Sequence, residues 1–149
     1  MTQTPPGTDS RPLVSGARYG LVALAFLFGV GAVLQIFLAG LSLFESAEYW
    51  SDHVDFGMYL GIPALLIPVA AAIGRVGRQL LVMSIGVTVL FFLQIALANV
   101  DNGFIGALHA LNAFAVTSIA FQTGLRSLAR VRSEAGYQGD SRMMGRSVD

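Results

Sequence analysis

The chain has 149 residues, of which 54% are hydrophobic and only 12% charged. Soluble domains carry roughly 25% charge, so this composition, with a mean hydropathy of +0.66, belongs to a membrane protein of one domain. Formal net charge is zero, which offers nothing to nucleic acid, and the absence of cysteine excludes disulfides, thiolate metal sites, covalent haem attachment and a thiol nucleophile.

Residues 1–17 are polar, with Pro5, Pro6, Gly7 and Pro12. The first apolar run, Tyr19 to Phe44, is far longer than a signal-peptide core of about 7–15 residues and leads to no clear cleavage site, so it reads as a retained first span. Val54 to Ile73, Leu80 to Val100 and Gly103 to Leu125 complete a set of four segments near the roughly 20 apolar residues that a membrane helix needs. Backbone polar groups in lipid must be satisfied within the segment, so these are helices. Pro63 and Pro68 each remove a hydrogen bond inside the second span, which is expected to kink. Residues 126–149 form a polar tail, and from Arg132 onward its Gly/Ser-rich composition predicts disorder.

All nine basic residues are arginine: Arg11 and Arg18 before the first span, Arg75 and Arg78 between the second and third, and Arg126, Arg130, Arg132, Arg142 and Arg146 after the fourth. The other two loops hold Glu45, Glu48, Asp52, Asp55 and Asp101 and no base. The positive-inside rule then predicts an inner-membrane protein with both termini and the middle loop in the cytoplasm. Short connections force antiparallel neighbours. The expected fold is all-α, an integral membrane up-down-up-down four-helix bundle built from two tandem helical hairpins over residues 18–125.

The hairpins share a phrase. Leu34-Gln35-Ile36-Phe37-Leu38-Ala39 recurs as Leu93-Gln94-Ile95-Ala96-Leu97-Ala98, and each copy is followed by one of the chain's two histidines, His53 and His109. Both glutamines fall about two turns before an outer loop, roughly 10 Å below the outer surface, and His109 lies about as deep. His53 is interfacial if the second helix starts at Val54. It joins the same layer if the helix starts near Ser46, a good N-cap type, and that start is preferred, since Tyr49 and Trp50 suit the interface belt. A parallel repeat of this kind relates its halves by an axis along the membrane normal.

Neutral imidazole can hold haem iron axially. His53 and His109 are therefore candidate ligands of a non-covalent b-type haem, with Gln35 and Gln94 orienting an imidazole N–H and Gly57 and Ala113 leaving room. Haem propionates favour arginine, and the outer side has none, leaving Tyr49, Trp50, Asn102 and water. The competing reading is that the Gln/His layer is interhelical hydrogen bonding in a non-enzymatic accessory subunit without a cofactor. Transport ranks lowest, because the inner half of every span is nearly free of polar groups. Ser, His and Asp form no recognisable nucleophile motif, which leaves enzymatic activity open and a non-enzymatic role favoured, with the bilayer and other membrane subunits as expected partners.

Gln-x-x-Leu-Ala followed by an outer loop and a histidine at the head of the next helix, twice over, resembles one four-helix half of haem A synthase. Leu93 to Ala115 carries most of this likeness. The resemblance implies haem ligation by His53 and His109. Trp50 and Val54 stand where that family places a glutamate and an arginine around the first histidine, so synthase activity is not implied. Gln35 to Gly40, His53, Gly57, Gln94 and His109 also resemble a family of small four-span prokaryotic membrane proteins defined only as a domain of unknown function.

Overall fold

The computed structural model describes the backbone of residues 11–146 and the side chains of residues 12–136. Among the described residues, five helices follow one another: α1 (Arg11–Phe44), α2 (Tyr49–Tyr59), α3 (Gly61–Ile73), α4 (Arg78–Ala98) and α5 (Gly103–Arg146). Taken together, α2 and α3 form one span, so four segments among the described residues are long and apolar enough to cross a membrane. The chain is a multi-pass membrane protein with an all-α bundle, as its composition predicts.

α1 packs on α3 and α5, and α4 packs on the same two helices, while α1 and α4 face each other across the bundle and meet through side chains, Phe28 against Phe91 with ring centroids 6.0 Å apart. The four spans therefore stand at the corners of a square, with the second and fourth on one diagonal. Core residues recur at steps of three and four: Leu21, Ala25, Phe28 and Ala32 on α1, Leu80, Ser84, Val87 and Phe91 on α4, and Asn112, Val116, Ala120 and Thr123 on α5. This is the spacing of helices crossing at a shallow angle with one seam turned to the bundle axis. The opposite faces expose Leu27, Val30, Phe37, Val82, Val89 and Phe114, a contiguous apolar coat suited to lipid.

The expected kink lies between Tyr59 and Gly61, just before Pro63. Proline has no N–H for the carbonyl four residues back, so the carbonyl of Tyr59 loses its helical partner and the helix breaks there. Pro68 stays inside α3, where it deprives the Ala64 carbonyl in the same way. The Thr88 hydroxyl of α4 donates to that carbonyl at 2.6 Å, so a neighbouring helix replaces the missing bond.

The end helices run beyond the four apolar segments. α1 already begins at Arg11, inside the segment read as a polar tail; residues 1–10 lie outside the described residues. α5 continues to Arg146, through the stretch whose composition suggested disorder. No proline interrupts it, Val131 is buried, and Arg130 pairs with Glu134 one turn on. At its start, the Asn102 side chain accepts the N–H groups of Phe104 and Ile105, both at 3.1 Å, as an N-cap.

At the arginine-bearing end, α3 stops in a Schellman arrangement. Val76 N–H donates to Ala71 O and Arg75 N–H to Ala72 O, with Arg75 in the left-handed region at φ 49°. Arg18 Nε donates to Gly74 O at 2.7 Å and Arg130 Nη1 to Val76 O at 2.6 Å. Glu134 bridges the two arginines. These contacts tie the loop between α3 and α4 to α1 and α5.

Candidate functional site

α2 begins at Tyr49, preceded by turns in which Ser46, Ala47 and Glu48 carbonyls accept from residues three further on, and Ser46 Oγ accepts the Glu48 N–H at 3.3 Å. The chain thus coils from Ser46, and His53 sits inside the helix rather than at its edge, as the preferred sequence reading required. His53 and Gly57 extend the inward-facing seam of Leu60, Ala64 and Ile67, while His109 extends that of Asn112 and Val116. Gln35 and Gln94 continue the α1 and α4 seams beyond Phe28 and Phe91. All four polar side chains consequently turn to the bundle axis at the acidic end, above the apolar core.

The two histidines meet across the diagonal of the square, with ring centroids 6.3 Å apart and planes inclined at 63°. Each ring is held identically. His53 Nδ1 lies 3.0 Å from the main-chain oxygen of Gln35, and His109 Nδ1 lies 2.9 Å from that of Gln94. A carbonyl only accepts, so neutral imidazole must carry its proton on Nδ1 in both places. Both Nε2 atoms are then lone-pair acceptors and potential ligands. The orienting groups expected from the glutamine side chains are thus the glutamine carbonyls.

The amides do different work in the two repeats. Gln35 Nε2 donates to the His53 carbonyl at 2.8 Å, leaving Oε1 buried without a hydrogen-bond partner. Gln94 Oε1 accepts from Asn112 Nδ2 at 2.6 Å, and the same nitrogen reaches Leu90 O at 2.8 Å. Phe56 occupies in the first repeat the place of Asn112 in the second, three residues past the histidine. Asn112 and Thr88 were not singled out from sequence, because a lone Asn or Thr within an apolar helix has no pattern until its partner helix is known. Trp50 stacks on His53 with centroids 5.1 Å apart and planes inclined at 21°.

A cavity of about 480 Å³ opens beside the histidines and is lined by Gln35, Trp50, His53, Gly57, Gln94, His109 and Ala113, with Phe28 and Phe91 from the core beneath. Both small residues expected to make room are there. Among the described residues, no three or more His, Cys, Asp or Glu side chains gather as a metal-ion site. A bare ion here would find only two imidazoles. His53 and His109 would be enough protein ligands for a haem iron, so the residues present fit that group.

No curated protein and no solved structure matches the chain. Residues 35–101 match a family described only as a family of unknown function (DUF6220), a stretch that opens on Gln35, contains His53, Gly57 and Gln94, and stops just short of His109.

Proposed function

We propose that this is an inner-membrane protein with both termini cytoplasmic that binds a b-type haem non-covalently near the outer face, where His53 and His109 would hold the iron. The observation that carries the reading is the paired Nδ1 hydrogen bonds to the carbonyls of Gln35 and Gln94, which hold both Nε2 atoms ready to bind. The ring centroids lie 6.3 Å apart, so both imidazoles would be near enough to hold one metal centre between them. The resemblance to one half of haem A synthase supports the same assignment. Bound there, haem would supply one-electron chemistry, for electron transfer or haem handling. Gly57, Ala113, Phe28 and Phe91 would shape the pocket and limit water, while Trp50 would cover the His53 ring.

The test is a visible spectrum. Protein expressed with haem supply and purified in mild detergent should show a Soret band and sharp α and β bands on reduction. His53→Ala and His109→Ala should each abolish or convert it. A preparation that stays colourless when titrated with haemin sinks the proposal.

A second reading is an accessory subunit in which the layer only joins helices. The Gln35–His53 and Gln94–Asn112 bonds favour it, because they satisfy much of the layer without a ligand. In that case the His→Ala variants lose stability and no cofactor signal exists to lose.

A further inference from the structure

At the end of the bundle opposite the histidines, a groove of about 680 Å³ runs between the start of α4 and α5, lined by Gly77, Arg78, Gln79, Arg126, Arg130 and Ser133. Arg130 is partly engaged, through Nη1 to Val76 O and Nε to Glu134. Glu134, the carboxylate beside the groove, is itself held between Arg18 and Arg130, and among the described residues the groove lining carries Arg78, Arg126 and Arg130 and no acid. Arg78 and Arg126 are exposed. Arg126 reaches across to α4, its Nη1 lying 3.6 Å from Met83 Sδ.

The groove has an apolar continuation. Arg78, Val82, Ile85 and Val89 share one face of α4, and Val82, Ile85 and Val89 are all exposed, as is Leu125, one turn before the groove-lining Ala129 on α5. A strip with cationic side chains at its mouth and open hydrocarbon below has the polarity of a phospholipid. Basic pockets between membrane helices favour acidic headgroups, and Arg forms directional bonds with phosphate oxygens.

We propose that this groove is a binding site for an anionic phospholipid, whose phosphodiester sits between Arg78 and Arg126 and whose acyl chains lie along Val82, Ile85 and Leu125. The apolar strip favours a lipid over free phosphate, and the site is independent of the haem reading.

The test uses the full chain, delipidated in a neutral detergent and then mixed with micelles of phosphatidylglycerol or phosphatidylcholine. Native mass spectrometry counts the retained lipid. Phosphatidylglycerol should be retained about fivefold more than phosphatidylcholine, and the Arg78→Gln/Arg126→Gln variant should lose that preference. Arg75→Gln, at the same end but outside the groove, should keep it. Because Arg78 and Arg126 are exposed, the variant should elute and melt like the parent; Arg126→Gln alone, expected to halve the preference, repeats the test if it does not. An unchanged preference in the variant, an equal loss in Arg75→Gln, or displacement of the lipid by millimolar inorganic phosphate would each overturn the proposal.

Discussion

Gly57 leaves the space that the Gln35 amide fills: a Cβ at position 57 would overlap Gln35 Nε2. The glycine is what allows the amide to reach the His53 carbonyl and set the first half of the polar layer.

Gly57→Ala should therefore push the Gln35 amide aside, break its bond to the His53 carbonyl and lower stability by about 0.5–1.5 kcal/mol. Gly40→Ala, where nothing stands within 4 Å of the new Cβ, should be neutral or stabilise by up to about 1 kcal/mol. Thermal unfolding of both variants in the same detergent checks the contrast, and equal melting temperatures would contradict it.

Thr88 and Pro68 should be energetically coupled, although they lie on different helices. Thr88→Val leaves the Ala64 carbonyl, already deprived by Pro68, without its donor, at a cost of about 1–2 kcal/mol. In a Pro68→Ala background the restored N–H serves that carbonyl, and the same substitution should cost less than about 0.5 kcal/mol. A double-mutant cycle by denaturant titration measures the difference; additive effects would show that the hydroxyl does not stand in for the proline.

Asn112→Ala removes the donor shared by Leu90 O and Gln94 Oε1 and should destabilise by about 1–2 kcal/mol. With Gln94→Leu already in place its cost should fall by at least about 0.5 kcal/mol, since the two side chains are one network. His109 should stay in position in both variants, because its Nδ1 bond goes to the Gln94 main chain. A shifted His109 imidazole resonance in Gln94→Leu would argue otherwise.

The loop between α3 and α4 offers a pair of opposite effects. Gly77 has φ 88° and ψ 161°, a region nearly closed to side chains, so Gly77→Ala should cost about 1–3 kcal/mol. Arg75, at φ 49° in the Schellman position, carries a Cβ where glycine is preferred, and Arg75→Gly should be neutral or stabilise by up to about 1 kcal/mol. Melting temperatures moving in the same direction would contradict this account.

The spans, their alternation and the broken second helix were legible in the chain, because lipid makes each segment satisfy its own backbone and keep its polar residues out of the coat. Counting residues along the helices likewise put Gln35, Gln94 and His109 in one layer, and put His53 there on the preferred helix start near Ser46. Partnership did not follow from counting. That the histidines sit on diagonal helices, that the glutamine carbonyls rather than the amides hold the rings, and that Asn112 and Thr88 serve carbonyls on α4 and α3 were decided by how the helices rotate and pack. Those rotations arise from contacts between segments far apart in sequence, so only the tertiary structure expresses them.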